Sequence, residues 1–573
     1  MKKRLTALAL SAVMAATLLA ACGGNTAGTT TAKPADSGTT TQKPEESKPG
    51  ETTAEVVETK PEEVTIKVYY ARGEIPTDDN TLAAKMKEEL GVTLEAEYLV
   101  GDEDERIGIM IAGGDYPDLM PFNQRVVDNG GARPLDDLLP QYENLDKHYG
   151  PHYNKMRSPQ DGKLYYMPNF GIIYNDEVIT EHWGTGVFLQ KAVLEEFDYP
   201  LIKTLDEYFD LIERYAEKYP TIDGAPTIGY TILNDGWRNF GLVNPPQFLA
   251  GHPNNGNAVM DFETATGMDP STTDIAKQYY QKLNEVNANG LFDQEAASMN
   301  YDQYIAKLSA GNVLGTMDQK WNMNSANTAL VSAGKENRTY VSLPIVYDES
   351  ITEYYRDQTV LNLSNGFMLT TTDDSKVDRI MTFLDDITTE EWTKNLSWGI
   401  EGEAYLVGDD GIFYRTEEQR EEQRNSAWPL KHKLNAFLDY APKLEGTFSD
   451  GNAYGPGNDY NEYYANLSDY DKTFLDAYGF KAFSEFYLNP PPNPVWYPTW
   501  QINIPDGSPE SIANTKASDT KVQMLPAVIT ATPENFETKW AEFVTEYDKV
   551  NYGIVIDFIN EEVQWRIDNW SAE

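Results

Sequence analysis

From Val64 onward, short apolar segments alternate with amphipathic ones. Apolar, aromatic and β-branched residues dominate Val64–Tyr70 and 92–100, which predicts two strands. The segments Thr81–Leu90 and 103–111 predict helices, and a third short apolar segment follows at 118–122. This β-α-β-α-β order favours a parallel sheet with helices packed on its faces.

The stretch 64–573 is too long for one hydrophobic core, so we expect two lobes. Lobe one is predicted to comprise 64–168 with a return strand from about 364, and lobe two to comprise 171–363. The remainder, about 415–573, is rich in helical pattern towards its end and is expected to pack over both lobes. Open α/β sheets bind ligands at the carboxyl ends of their strands, which predicts a cleft between the lobes.

The first residues have the pattern of a secretory signal peptide: a basic start, an apolar run and small residues before a cut site. Leu19-Ala20-Ala21-Cys22 resembles a bacterial lipobox, and Cys22 is the only cysteine in the chain. The resemblance implies that residues 1–21 are removed and that Cys22 carries the lipid. The protein would then be extracellular, anchored to the outer face of the bacterial cytoplasmic membrane. The Thr/Pro/Glu-rich composition of 22–63 predicts a disordered tether.

The charge balance narrows the classes of partner. The chain has 46 Lys+Arg against 91 Asp+Glu, a net charge of −45. Such a chain repels nucleic acid, and an anionic ligand is disfavoured but not excluded. With five His and one Cys, a His/Cys metal site is not expected, and no cofactor motif is present.

Several motifs resemble those of extracellular solute-binding proteins of family 1, the receptors of bacterial ABC importers. Ala112-Gly113-Gly114-Asp115-Tyr116-Pro117-Asp118 is similar to the family's small-Gly-Asp-x-Pro-Asp signature. Trp398-Gly399-Ile400-Glu401-Gly402-Glu403-Ala404-Tyr405 is similar to a motif of its lipoprotein oligosaccharide receptors. Further similar segments occur in the family's order, at 134–139, 161–168, 173–176, 204–208 and 308–315.

The resemblance implies a periplasmic-binding-protein-like α/β fold of two lobes that close about a hinge. It also implies a monomeric, non-enzymatic receptor that captures a carbohydrate, in the first place an oligosaccharide, and passes it to the permease subunits of an ABC importer. Two segments depart from the pattern. The family's basic-Asp-Trp segment is replaced by Leu189-Gln190-Lys191-Ala192-Val193, and 415–523 matches little.

Sugar recognition needs aromatic faces for the ring and carboxylates, amides or Arg for the hydroxyls. Three stretches at predicted strand ends combine these groups, and two further aromatic motifs could cover a cleft. The predicted ligand-binding residues are Trp321, Asp318, Gln319, Trp237, Arg238, Tyr70, Arg72, Glu74, Trp398, Glu401, Trp496 and Trp500.

Two alternative functions remain open at this stage. A cell-surface glycoside hydrolase would use two carboxylates across a sugar, for which Glu401 with Glu403, or Asp409 with Asp410, are candidates. A peptide receptor of the same fold is the other. Oxygen-rich turns at 409–411 and 449–452 lack the spacing of a calcium loop, so we interpret them as solvated turns.

Overall fold

The computed structural model describes residues 62–256, 258–371 and 373–570. The predicted signal peptide, the lipidation site Cys22 and nearly all of the predicted tether lie outside these residues. The described residues belong to one compact unit, Lys60–Glu573. None of the helices described there is long and apolar enough to cross a membrane.

Lobe one is built on a five-stranded sheet. Its strands, in spatial order, are Val92–Tyr98, Val64–Tyr70, Leu119–Pro121, Gly366–Leu369 and Met167–Pro168. The first three run parallel, whereas Gly366–Leu369 returns from lobe two and pairs antiparallel. The parallel β-α-β order predicted for the start of the chain is therefore confirmed.

Capping residues mark the start and the end of the first helix of lobe one. The side chain of Asn80 caps the start of Thr81–Leu90 by accepting a hydrogen bond from the backbone N–H of Ala83. Gly91 ends the helix in a left-handed conformation, with φ 66°. The other helices of this lobe are Glu103–Gly113, Gln124–Asp128, Glu143–Tyr149, Tyr153–Met156, Val377–Ile387 and Glu390–Ser397.

Lobe two is built on a four-stranded sheet. Its strands, in spatial order, are Tyr340–Leu343, Thr185–Gln190, Val313–Gln319 and Ile228–Thr231. Thr185–Gln190 runs antiparallel to both of its neighbours, whereas Ile228–Thr231 and Val313–Gln319 are parallel. The carboxyl ends of these two parallel strands therefore share an edge of the sheet with the amino end of Thr185–Gln190.

Seven helices cover this sheet or lie beside it. They are Lys191–Glu196, Leu205–Lys218, Phe240–Val243, Pro245–Leu249, Asp274–Ala288, Tyr301–Ala310 and Lys320–Ser332. Thr204 and Glu207 form a capping box at the start of Leu205–Lys218, with each side chain accepting a hydrogen bond from the other residue's backbone N–H.

Three chain segments meet where the lobes join, and we call this region the hinge. The side-chain amide of Asn362 donates to Asn169 Oδ1 at 2.9 Å, and that of Asn169 donates to the carbonyl of Asp439 at 2.7 Å. Close by, the short strand Ile173–Tyr174 pairs in parallel with Glu445–Gly446. Gly171 lies between these segments at φ 103°, where an added Cβ would collide with the carbonyl oxygen of Val360.

The C-terminal remainder packs over both lobes, as predicted. Its helices are Glu417–Gln423, Ala427–His432, Asn435–Leu438, Tyr460–Asn466, Asp469–Tyr478, Pro509–Ile529, Phe536–Tyr547 and Gly553–Trp570. Phe437 is buried in the core of lobe one, whereas Asn284 of lobe two donates to the carbonyls of Ile529 and Ala531 at 2.9 and 2.7 Å. The last helix reaches back to lobe one, where Lys155 lies 5.7 Å from the ring of Trp570.

Candidate ligand-binding cleft

Three exposed tryptophans lie together at the shared strand edge of lobe two. Trp183, Trp237 and Trp321 have 51%, 64% and 47% of their surface exposed. Trp183 precedes the strand Thr185–Gln190, and Trp321 opens the helix that follows Val313–Gln319. We call the three side chains the tryptophan platform. Such exposed flat apolar faces can stack on the apolar face of a sugar ring.

The spacing of the rings decides which faces are available. The ring centroids of Trp237 and Trp321 are 6.1 Å apart with planes 13° apart, and the amide of Trp321 donates to the carbonyl of Trp183 at 3.4 Å. A ring inserted between two aromatic faces needs about 3.5–4 Å on each side. A sugar therefore does not fit between Trp237 and Trp321 and must stack on an outer face.

Arg238 covers part of the platform from one side. Its guanidinium lies 4.3 Å from the ring centroids of both Trp237 and Tyr301. Its Nε donates to Asn322 Oδ1 at 3.1 Å, which fixes the direction of the guanidinium. The ring of Trp237 is thus held in place by a cation and by its stack with Trp321.

Asp318 anchors this arrangement from inside the lobe. It is 2% exposed and accepts hydrogen bonds from the Asn322 side-chain amide at 3.0 and 3.1 Å and from the Tyr304 hydroxyl at 2.8 Å. Burial raises the pKa of Asp318 to about 6. Because the carboxylate is enclosed, we replace the predicted ligand contact by a supporting role: Asp318 orients Asn322, which in turn holds Arg238. Gln319 follows it, half-buried at the strand end.

A cavity of about 450 Å³ adjoins the platform at the hinge, and we call it the hinge cavity. Trp183 lines it together with Glu177, Arg356, Asp357 and Glu445. The lining comes from three separate stretches of the chain, so the cavity depends on how the lobes are joined. A ligand in it would touch Trp183 and all three stretches at once.

The lobe-one edge offers a smaller polar surface. The Arg72 side chain is exposed, with Nε 3.4 Å from an Asp439 carboxylate oxygen and its guanidinium 5.3 Å from the ring of Tyr440. Glu74 is exposed in the same loop. Tyr70 is only 2% exposed and packs against Phe367 and Tyr98, so in place of the predicted ligand contact it belongs to the core.

The structure places the remaining predicted residues away from the platform's packing contacts. Trp398 is 1% exposed, donates from Nε1 to the carbonyl of Ala453 at 2.9 Å and packs on Phe413. Trp496 is buried against Phe262. For these two buried rings a packing role replaces the predicted ligand contact.

Two other predicted ligand residues are exposed but lie outside the packed platform. Glu401 is exposed in the turn after Trp398. Trp500 is exposed beside Gly256. Their ligand contact stays a prediction, as it does for Trp321, Gln319, Trp237, Arg238, Arg72 and Glu74.

Two of the carboxylates considered for other chemistry form ion pairs. Glu403 pairs with His432 at 2.6 Å, and Asp450 pairs with Lys394 at 2.6 Å. Among the described residues, no group of three or more His, Cys, Asp and Glu side chains is arranged to hold a metal ion.

Sequence reasoning missed Trp183 and Arg356. Trp183 stands before its strand rather than after one, and only the antiparallel pairing brings it to the ligand edge. Arg356 carries no local signal, because the cavity that it lines is formed by segments distant in sequence.

Comparison with known proteins gives relatives that bind sugars. No protein-family model matches the chain. It is 22% identical over 347 residues to the polygalacturonan/rhamnogalacturonan-binding protein YtcQ of Bacillus subtilis, covering 57% of this chain and 64% of that protein. It is also 22% identical over 255 residues to the fructooligosaccharide ABC transporter substrate-binding protein FusA of Streptococcus pneumoniae, covering 40% and 45%. The chain thus spans less than two thirds of the length of these relatives.

Solved structures match over much more of the chain. FusA in complex with fructo-nystose superposes with a TM-score of 0.61 at 16% identity, covering 88% of this chain and all of that one. An HMO-binding, ABC-transporter-associated solute-binding protein of Bifidobacterium longum infantis superposes with a TM-score of 0.58 at 14% identity, covering 88% of this chain and 99% of that one. The alginate-binding protein AlgQ2 gives 0.56 at 14%, covering 88% and 98%. The predicted two-lobed α/β architecture is therefore confirmed, and the chain has the fold of the substrate-binding proteins of ABC transporters.

Proposed function

We propose that the protein captures an oligosaccharide in the cleft beside the tryptophan platform and delivers it to an ABC importer. The observation that carries this proposal is the platform itself: the stacked, exposed rings of Trp237 and Trp321, with the exposed Trp183 bonded to Trp321 through the backbone, at one strand edge of lobe two. Monomeric soluble proteins rarely leave such aromatic surface exposed without a use. The sugars named for the relatives YtcQ and FusA support the same class of ligand.

Capture requires no covalent chemistry. A sugar that stacks on the platform and also meets polar groups of lobe one, such as Arg72, makes both sets of contacts only when the lobes are closed. Its affinity for the closed state exceeds that for the open state, and this difference shifts the population towards closure. The permease subunits would then recognise the closed, loaded receptor.

We further propose that the receptor is anchored outside the cell through a lipid on Cys22. The lipobox-like sequence and the polar, Pro-rich stretch 22–63 support this proposal. Two acyl chains hold a protein stably at a membrane, at about 0.8 kcal/mol per buried methylene. Replacing Cys22 by Ser should move the protein from the membrane fraction to the medium, as measured by fractionation and by loss of palmitate labelling. An unchanged membrane fraction would contradict the anchor.

A ligand screen tests the binding proposal directly. Thermal unfolding of the purified protein is measured with neutral and acidic oligosaccharides, monosaccharides, peptides and amino acids. A ligand at a hundredfold excess over its Kd stabilises the native state by about 2.7 kcal/mol, which gives a clear shift of Tm. We expect a shift with one family of oligosaccharides, recovered intact by chromatography. A shift only with peptides would refute the choice of ligand, and release of reducing ends would refute the receptor role in favour of a hydrolase.

A further inference from the structure

Arg356 is a cation at the wall of the hinge cavity, close enough to Glu353 and Asp357 for its charge to act on the pKa of both carboxyls. Its Nε is buried and has no hydrogen-bond partner in the part of the chain that the structure describes. Other cations near this region are paired, such as Lys320 with Glu181 and Lys191 with Asp471. In a chain with 91 acidic against 46 basic residues, an arginine whose buried Nε has no acceptor in the described part of the chain calls for an explanation.

The neighbouring acids are already occupied. The carboxylate of Asp357 accepts a hydrogen bond from the Tyr497 hydroxyl at 2.7 Å. The carboxylate of Glu353 accepts hydrogen bonds from the backbone N–H of Tyr355 at 2.9 Å and from that of Leu488. Burial raises the pKa of both carboxyls. The charge of Arg356 offsets part of this rise in pKa, but the hydrogen bonds that these carboxylates accept come from other donors.

The three remaining acids of the cavity are also engaged. Glu181 pairs with Lys320 and accepts a hydrogen bond from the Tyr463 hydroxyl at 2.8 Å. Glu177 accepts the hydroxyl of Thr359, and Glu445 accepts the amide of Gly171. Burial raises the pKa of Glu445 as well. Among the described residues, no acid of the hinge cavity therefore accepts a hydrogen bond from Arg356 Nε.

We propose that the hinge cavity is a subsite for a sugar residue that carries a carboxylate, with Arg356 binding the carboxylate and Trp183 stacking on the ring. This inference rests on the proposed function and narrows its ligand to acidic oligosaccharides built from uronic acids. Arginine suits the task because its planar guanidinium can donate two parallel hydrogen bonds to one carboxylate. The cavity of about 450 Å³ has room for one sugar residue. Trp183 belongs both to the cavity wall and to the platform, so the next residues of the oligosaccharide would stack on the platform.

The net charge of −45 acts against this ligand at long range and makes the local cation necessary. Repulsion between exposed charges is screened beyond about 8 Å at physiological ionic strength. A contact made inside the cavity is screened much less. Arg356 can therefore select a carboxylate at the hinge although the surface as a whole repels anions.

The test compares uronate trimers with the same trimers after methyl esterification, which removes the charge and keeps the sugar. Trimers of galacturonate, mannuronate and glucuronate are titrated calorimetrically into the purified protein. We expect at least one acidic trimer to bind about tenfold to a hundredfold more tightly than its ester, the range for a charge-assisted pair. Acetate at the same concentration should not compete, because it lacks the ring that stacks on Trp183.

Variants assign the effect to Arg356. Arg356→Gln should remove the difference between acid and ester while leaving the ester's affinity unchanged, and Arg356→Lys should retain part of it. Arg214→Gln is the matched control, since it removes one positive charge from an exposed pair with Asp210 on the helix Leu205–Lys218. It should leave every affinity unchanged.

Four outcomes would overturn the inference. Equal affinity of the wild type for the acidic trimer and its methyl ester would show that the cavity does not recognise the carboxylate. An equal loss of both in Arg356→Gln would show that Arg356 shapes the hinge instead. Binding of neutral oligosaccharides alone would refute the acidic ligand and leave the proposed function standing, whereas binding of no glycan of any class would refute both.

Discussion

Replacing Trp321 by Ala is the sharpest test of the tryptophan platform. Trp321 is 47% exposed, so about 110 Å² of a side chain that offers up to about 250 Å² is available to a ligand. A sugar ring on one face would cover about half of that area. At about 25 cal/mol per Å², the stacking contributes about 1.5 kcal/mol, or about tenfold in Kd. The free energy of unfolding should change little, because Ala is favourable in a helix.

The same helix provides the control. Val331 is 48% exposed and lies ten residues further along, about 15 Å away at 1.5 Å per residue. Val331→Ala removes a comparably exposed apolar side chain outside the platform. Both variants are titrated calorimetrically with the oligosaccharide identified by the screen, and their folding is checked by urea unfolding. An unchanged Kd in Trp321→Ala, or an equal loss in Val331→Ala, would refute the role of the platform.

Three further substitutions distinguish residues that stabilise the fold from residues that contact the ligand. The pKa of Asp318 is about 6 in the fold against 3.8 in the unfolded chain, so the folded state keeps its proton over this window and the free energy of unfolding falls by about 2 kcal/mol as pH rises from 4 to 6. Asp318→Asn should abolish that slope in urea unfolding measured at several pH values, and a slope equal to the wild type's would contradict the assigned pKa. Trp398→Ala should lower the free energy of unfolding by about 3–5 kcal/mol and leave the Kd for the ligand unchanged, because the ring is a core side chain; a selective loss of affinity would restore the predicted ligand contact. Glu462→Gln leaves Arg415 and Arg420 without their shared carboxylate and should cost about 3–5 kcal/mol in urea unfolding, whereas a loss below about 1 kcal/mol would mean that this buried network is not needed.

Local sequence signals predicted the scaffold well. The apolar run at Val64–Tyr70 and the capping residues around Thr204 are determined by nearest neighbours, and the structure has both. The return of the chain to lobe one at Gly366–Leu369 also followed from an apolar segment of strand length. Such features depend on a few adjacent residues, so periodicity and capping chemistry suffice to find them.

The site was less predictable, because exposure depends on the tertiary packing of each strand end. Tyr70 and Trp237 both stand near the end of a strand, but Phe367 and Tyr440 cover the first while the second is left open. Asp318 points into the lobe because Tyr304 and Asn322 supply donors there. No pattern in the sequence alone distinguishes such an anchored acid from one that faces a ligand.

The last helix, Gly553–Trp570, joins the lobes at a place remote in sequence from the strands of the hinge. Arg566 donates to the carbonyls of Trp496 and Pro498 at 3.0 and 2.6 Å, and Trp570 meets Lys155 of lobe one. Two bodies joined at two separated points can turn only about the line through them. We therefore expect the two lobes to rotate about one axis that passes through both contact regions. Each ring of the platform would then approach lobe one along a single path. Removal of the final turn of this helix would remove its contact with lobe one. The lobes could then also twist and slide relative to each other.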